Sequence, residues 1–440
     1  MNAAWASIQR VAGRLRTTDS RDFAWGFAAQ GASSVTNFGL SLLAGRLLGP
    51  SGLGSIFVGF SYYLLSLGLQ RALIIEPLLA STASLHEEDR RASTRAALTL
   101  VLLWSSASAG LLTAVVLALP DGVGRGLILF VPWLVPALLQ DFWRSILFRD
   151  RRGAAGALND ILWFAGMVVM LPVVISIRTD WIVVADWGAG AAVAAAAGFL
   201  QSRVTPAAAR TSVRWWKMRA WKLGRWLAAE SMVYTITSQV VVFLLVGVVG
   251  TRALGGFRAV QAMFGPLTLL IPAVALPGLP AVSRTLAVSA HRAFRLSLSI
   301  GALTIVLTGC YLALAVALGE RLLGSVFGSS FRSFGALIIP IGVGQILIAG
   351  TTGLALLLKA QARGKAILAA RVVGSVSSLV LVLPLAATYG IIGAAWGMAL
   401  AGGIASVALI AYSFSGWRPA SQDARSEVAR EAAHLEHGPE

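Results

Sequence analysis

Long apolar runs recur along the whole chain and restrict its fold more than any other feature. A bilayer core about 30 Å thick needs about 20 apolar residues per helix. Runs of this length lie near 23–47, 53–80, 96–119, 126–148, 155–177, 181–202, 226–249, 257–282, 296–318, 334–358, 366–387 and 391–414. Of the 440 residues, 57% are hydrophobic and only 12% are charged, which excludes a water-soluble globular protein. The sequence therefore predicts an all-α integral membrane protein with twelve transmembrane helices.

The basic residues are concentrated in every second segment between these runs. If the N-terminus is cytoplasmic, the cytoplasmic segments hold 26 Lys and Arg residues and the outer segments hold six. Short loops rich in Lys and Arg stay in the cytoplasm. We therefore expect a multi-pass protein of the cytoplasmic membrane with both termini inside. The net charge of +17 thus comes from basic residues that orient the chain in the membrane. We therefore predict no nucleic-acid partner.

The longest basic segment divides the runs into six and six. We predict a basic cytoplasmic N-terminal segment at 1–22, a six-helix half at 23–202, a linker at 203–225, a second six-helix half at 226–415 and a disordered cytoplasmic tail at 416–440. Trp5, Ile8, Val11 and Leu15 predict a surface helix within residues 1–18. The linker contains three tryptophans among its cations. It is either a segment on the inner membrane surface or a solvated connector.

Short matching segments support two related halves. "GPSGLG" at 49–54 and "GTRALG" at 250–255 share three glycine or leucine positions at an offset of 201. The second span contains Pro77, and the eighth is rich in proline, so both are expected to bend. An even number of spans per half predicts parallel repeats around a central cavity, as in transporters that rock between two states.

The turn "RLLGPSGLG" at 46–54 and the segment "RALIIEPLL" at 71–79, together with this architecture, resemble the polysaccharide-transporter branch of the MOP superfamily. The resemblance implies a MOP/MATE-like flippase that moves a lipid-linked oligosaccharide by alternating access during cell-surface polysaccharide biosynthesis. It also implies membrane lipids and polysaccharide-assembly proteins as partners. MATE drug antiporters and the lipid II flippase share this fold.

Several charged residues lie inside the predicted spans, mostly toward the cytoplasmic ends, and they predict a pocket that faces the cytoplasm. We expect Arg71, Arg144 and Arg371 to bind the substrate pyrophosphate, because guanidinium groups match phosphate oxygens. The polar residues that would complete the wall are Gln30, Asn37, Gln239 and Gln345. The predicted gate or ion-coupling residues are Glu76, Glu230, Asp160 and Asp141. The alternatives are charges that snorkel to the interface, a local pair of Asp141 with Arg144 at i,i+3 and polar residues that join helices.

Arg71 and Glu76 are not expected to pair with each other. Five residues turn a straight helix by about 500°, which places the two side chains about 140° apart. Each therefore needs a partner on another helix. We expect Arg71 to meet the substrate or Glu230, and Glu76 to meet Arg144 or Arg371.

Other functional classes find less support in the sequence. There is no phosphate loop or nucleophile elbow, so we do not expect an enzyme. The single cysteine, Cys310, and four scattered histidines predict neither a metal site nor a cofactor. One rival is a MATE-type antiporter driven by H⁺ or Na⁺, in which Asp160, Glu76 or Glu230 binds the ion. Another is a membrane scaffold within a synthesis complex. A carboxylate deep in an outer-half pocket would favour the antiporter, and the sequence indicates none.

Overall fold

A computed structural model describes residues 18–82, 86–118, 124–361 and 363–415. Within these ranges the chain is almost entirely helical and contains no strand. This is what lipid requires, because a helix satisfies its backbone hydrogen bonds within one segment. The predicted surface helix within 1–18 and the predicted disordered tail at 416–440 lie outside the described residues, apart from Thr18.

The helices follow one another with short connections. They are α1 (Thr18–Gln70), a π-helical turn (Arg71–Ile75), α2 (Glu76–Thr82), α3 (Glu87–Ala118), α4 (Arg125–Ile128), α5 (Val131–Arg149), α6 (Gly153–Ile177), α7 (Asp180–Ser202), α8 (Ala209–Trp215), a second π-helical turn (Trp216–Ala220), α9 (Trp221–Met263), α10 (Leu267–Val288), α11 (Ala290–Val326), a 3-10 helix (Ser329–Leu337), α12 (Ile338–Ala360) and α13 (Gly364–Ser415).

Three of these helices change direction at a glycine. Gly49 in α1, Gly250 in α9 and Gly390 in α13 have φ values of 71°, 77° and 61°, a conformation that residues with a Cβ rarely adopt. Eight helical segments in the described residues are long and apolar enough to cross a membrane. Two of them, Trp25–Leu79 and Gly364–Ser415, have the length of two spans. With α5 and α10, the helices are consistent with the twelve predicted spans.

The described residues form two compact units. One comprises those within 1–265 and 319–335, and the other comprises those within 266–318 and 336–440. In the first unit, α1 packs most extensively on α9 and also contacts α6, while α7 packs on α5 and α6. In the second unit, α12 packs on α10 and α13. The helix α9 belongs to the first unit, and the six-plus-six division stays a prediction.

A reciprocal contact joins the two segments that the sequence matched at an offset of 201. An ideal Cβ on Gly54 would lie 1.8 Å from the carbonyl oxygen of Thr251. An ideal Cβ on Gly255 would lie 1.8 Å from the carbonyl oxygen of Pro50. The backbones of α1 and α9 therefore touch directly at this crossing, and only glycine fits on either side.

The linker has a helix of its own and contacts the first unit. It contains the helix α8, and its backbone is tied to α3 by a pair of hydrogen bonds between Thr99 and Ala207, of 2.8 and 2.9 Å. Trp215 donates its indole N–H to the Ser93 hydroxyl over 3.1 Å. The part of the linker around these residues is thus docked on the helices of the first unit.

Candidate functional site

The second span changes its winding just before Pro77. The helix α1 ends at Gln70, and residues 71–75 form a π-helical turn in which the Glu76 backbone N–H donates to the Arg71 carbonyl. Such turns are rare and occur frequently at functional sites. Gln70 is fully buried and donates its side-chain N–H to the Leu138 carbonyl of α5 over 2.9 Å. This turn presents Arg71 to α5.

Arg71 forms a two-point ion pair with Asp141 of α5. Its Nε donates to Asp141 Oδ2 over 3.0 Å, and its Nη2 donates to Asp141 Oδ1. The Asp141 side chain is 3% exposed, whereas that of Arg71 is 40% exposed. Both charges are thus compensated, and the planar guanidinium is held in one orientation. The expected partner Glu230 lies in α9, but its side chain is outside what the structure describes.

Arg144 lies one turn further along α5 and is held less closely. Its Nη1 is 3.4 Å from Asp160 Oδ2 on α6, and its Nη2 is 3.7 Å from Asp141 Oδ1. Arg144 thus contacts both predicted gate carboxylates at long distances. Neither of these two contacts is a short hydrogen bond, so the guanidinium N–H groups of Arg144 can still donate to a ligand.

An amide side chain holds Asp160 in place and extends the network to α7. Gln140 donates its Nε2 to Asp160 Oδ1 over 2.8 Å and to Asn159 Oδ1 over 3.0 Å. Asn159 in turn donates to the Ala194 carbonyl of α7 over 2.6 Å. All three side chains are buried. Gln140 thus links α5 to α6, and Asn159 links α6 to α7.

A cavity of about 460 Å³ opens beside this network. Its walls come from α1, α2 and α5, and the lining residues are Gly26, Ala29, Gln30, Leu79, Arg144, Ser145, Phe148 and Arg149. These residues lie at the ends of three spans that the charge distribution predicts to be cytoplasmic. Among the described residues, the lining contains two arginines and no carboxylate. Its chemistry suits an anion.

Arg149 is a cavity residue that the sequence analysis missed. Its Nε donates to Asp150 over 2.9 Å and its Nη2 to the Thr94 hydroxyl over 3.0 Å. Its Nη1 is buried without a partner among the described residues, and the side chain is 8% exposed. Arg149 follows the last apolar residues of its span and was therefore counted with the cytoplasmic loop. On an ideal helix it lies about 140° from Arg144, so spacing alone does not predict a shared cavity.

The other predicted wall residues are distributed over both units. Gln30 lines the cavity. Asn37 in α1 is half-buried, and Gln239 in α9 donates to the adjacent Ser238 hydroxyl over 3.2 Å. Glu76 is half-buried at the start of α2. Arg371 and Gln345 belong to the second unit, in α13 and α12.

Asp186 is a buried carboxylate that the sequence did not single out. It lies near the start of α7, at the end of this helix that is predicted to face outward. The residue is 0% exposed, and neither carboxylate oxygen has a hydrogen-bond partner among the described residues. A carboxylate in this setting carries a large desolvation cost unless it is protonated or binds a cation. The sequence signal was an acidic residue within an Ala- and Gly-rich helix.

Arg258 also lies within a helix. The sequence analysis counted it among the basic residues of the outer segments, but it is part of α9 after the bend at Gly250. Its guanidinium lies over the rings of Phe57 and Phe60, at 4.8 and 5.5 Å from their centroids. Cation–π contacts of this kind stabilise a cation on an apolar helix face.

Comparison with solved structures identifies the fold. A multidrug resistance MATE family transporter of the MOP superfamily, in an inward-facing conformation, has a TM-score of 0.67 at 11% identity over 87% of this chain and 93% of its own. The lipid II flippase MurJ, in an inward closed conformation, has a TM-score of 0.69 at 13% identity over 88% of this chain and 87% of its own. A MOP superfamily transporter from Pyrococcus furiosus has a TM-score of 0.62 at 11% identity over 90% of this chain and 94% of its own.

No family description matches the sequence, and neither does any curated protein. The structural neighbours are all membrane transporters, and they include both a lipid flippase and multidrug transporters. The chain is a multi-pass membrane protein with the transporter fold of the MOP superfamily.

Proposed function

We propose that this protein is a flippase that moves a lipid-linked oligosaccharide across the cytoplasmic membrane. The observation that carries the proposal is a cavity lined by Arg144 and Arg149, with no carboxylate among the lining residues that the structure describes. A pyrophosphate that joins a glycan to its lipid carrier is a polyanion, and paired guanidinium groups bind such groups well. The MurJ neighbour, which has a similar fold, is a lipid II flippase.

The three arginines near the cavity would have different roles. Arg71 is already neutralised by its two-point contact with Asp141. Arg144 reaches its carboxylates only at 3.4 and 3.7 Å, and one N–H group of Arg149 finds no partner in the described part of the chain. The substrate would therefore bind to Arg144 and Arg149. Arg71 and Asp141 would hold the surrounding helices.

Substrate arrival would also change the network behind Arg144. A pyrophosphate at Arg144 competes with Asp160 and Asp141 for the same N–H groups. Weakening these contacts loosens the connection between α5 and α6. Alternating access would use this coupling, because a transporter changes state only if its ligand binds the two states with different affinity.

The test is complementation of glycan export in cells that lack the protein, with expression measured for each variant. We expect Arg149→Ala to lower export at least tenfold, and Arg149→Lys to retain part of it. The matched control is Arg152→Ala. Arg152 is close in sequence but donates to the Gln201 carbonyl over 2.9 Å and does not line the cavity.

Arg144 needs a charge-balanced variant, because its removal leaves Asp160 less compensated. The pair Arg144→Gln with Asp160→Asn preserves the net charge and most of the volume. We expect this variant to be expressed and to export at least tenfold less. Normal export by this variant and by Arg149→Ala would reject the proposed binding site.

A MATE-type antiporter is the second candidate, and Asp186 is the observation that favours it. A buried carboxylate without a partner is a suitable site for a transported proton or Na⁺. This function predicts that cells gain resistance to cationic drugs when they express the protein, and that Asp186→Asn abolishes the gain. If cells that express the protein export glycan but gain no drug resistance, the protein is a flippase and not an antiporter.

A further inference from the structure

Pro77 removes a backbone donor from the turn that carries Arg71. In a regular α-helix the carbonyl of Leu73 accepts from the N–H of residue 77. Residue 77 is proline, which has no N–H. A carbonyl left in this way within a membrane helix needs a donor from elsewhere. The π-helical turn at Arg71–Ile75 lies directly before this proline.

Trp216 of the linker supplies such a donor. Its indole Nε1 donates to the Leu73 carbonyl over 2.8 Å, across a separation of 143 residues in the chain. The ring is half-buried and stacks on Trp221, with 5.0 Å between the ring centroids. Trp216 therefore contacts the widened turn between the residue that pairs with Asp141 and the proline that ends the turn.

We propose that Trp216 is a positioning residue for Arg71. Its indole N–H replaces the donor that Pro77 lacks, and this keeps residues 71–75 in the π-helical turn. That turn determines where the Arg71 side chain leaves the helix, and so its two-point contact with Asp141. The linker thereby takes part in the site instead of only joining two sets of helices.

The neighbouring Trp215 provides a matched control. It belongs to the same linker and also donates its indole N–H, but to the Ser93 hydroxyl on α3 over 3.1 Å. Ser93 lies outside the turn at 71–75. Trp215 also packs against the buried cluster that contains Ile74 and Ile75, so its replacement must be phenylalanine, which keeps a ring there and removes only the indole N–H. Loss of the Trp215 donor should therefore loosen the linker without changing the turn at 71–75.

The first measurement is hydrogen–deuterium exchange of the purified full chain in lipid nanodiscs, which does not depend on the transported substrate. We expect Trp216→Phe to raise amide exchange across 70–79 about tenfold and Trp215→Phe to leave it within twofold of the parent. In a Pro77→Ala background, residue 77 has an N–H for the Leu73 carbonyl. There Trp216→Phe should change exchange by less than twofold.

The second measurement is glycan export, and it rests on the proposed function. We expect Trp216→Phe to lower export about fivefold, Trp216→His to recover part of it because histidine keeps a ring N–H, and Pro77→Ala to suppress the loss. In an Arg71→Ala background, Trp216→Phe should cause no further loss.

The exchange measurement and the export measurement test different claims. If the protein supports no glycan export, the proposed function is wrong, whereas the exchange data still decide the role of Trp216. Unchanged exchange in Trp216→Phe, or an equal increase with and without Pro77, would overturn the positioning role.

Discussion

The ion pair between Arg71 and Asp141 is the residue-level contact whose loss should cost most. Asp141 is 3% exposed and is also approached by Arg144. Replacing Arg71 leaves the buried carboxylate of Asp141 with Arg144 alone, and an uncompensated buried charge costs roughly 3–5 kcal/mol. Replacing Asp141 leaves a guanidinium that is 40% exposed, so this loss should be smaller. We expect Asp141→Asn and Arg71→Gln each to lower the thermal stability of the purified protein, measured by the loss of monodisperse protein on heating.

The double variant Arg71→Gln with Asp141→Asn separates the pair from its surroundings. It removes both charges, so most of the lost stability should return. Arg91→Gln is the exposed control, since Arg91 pairs with Glu87 on the surface and such pairs contribute about 0–1 kcal/mol. Additive losses in the double variant would show that the two side chains do not stabilise each other.

The sequence assigned four charged residues to one end of the bundle and offered only Asp141 with Arg144 as a pair among them. Arg71, Asp141, Arg144 and Asp160 were all assigned to the cytoplasmic half because each lies near the same end of its span. Which charged residues form ion pairs depends on how each helix is rotated about its own axis. This rotation cannot be read from a single sequence. The π-helical turn adds a local rotation at Arg71 that a regular helix lacks.

At the level of helices, the crossing of α1 and α9 depends on two glycines. A side chain on Gly54 or Gly255 would overlap a carbonyl oxygen of the other helix. We expect Gly54→Ala and Gly255→Ala each to separate the helices, at a cost of about 1–3 kcal/mol for overpacking a close contact. The measurement is thermal stability, combined with disulfide cross-linking of cysteine pairs across the crossing.

Gly247→Ala is the control for this crossing. Gly247 lies in α9 and a Cβ there would meet nothing within 4 Å. Alanine in an open helical position is favourable by roughly 0.5–1 kcal/mol relative to glycine, so this variant should be as stable as the parent or more stable. If all three variants behave alike, the effect is one of helix propensity and not of the crossing.

The apolar runs predicted which parts of the chain form helices, but they did not predict where each helix begins and ends. The run at 96–119 belongs to a helix that begins at Glu87. Its first turns are polar and are supported by surface pairs of Glu87 with Arg90 and Arg91, so they carry no hydropathy signal. The bends at Gly49 and Gly250 were visible as matching segments, and both glycines adopt positive φ.

At the level of the whole molecule, the fold class follows from the repeated 20-residue apolar runs, because lipid leaves so few alternatives. The resemblance in sequence pointed to the MOP superfamily, and solved transporters of that superfamily share this fold at 11 to 13% identity. The division into six and six helices and the orientation in the membrane are not fixed by helix packing. They need an experiment that distinguishes the two sides of the membrane.

Membrane topology can be tested with single cysteines, because Cys310 is the only one in the chain. In a Cys310→Ala background, a cysteine at Glu88 or Arg210 should resist a membrane-impermeant thiol reagent added to intact cells, because both belong to segments rich in cytoplasmic cations. A cysteine at Asp121 should react. The two protected positions must react once the cells are made permeable, which excludes burial as the cause of protection. Outside labelling at Arg210 would place the linker on the outer face. It would overturn the assignment of an even number of spans before the linker, and with it the two parallel six-helix halves.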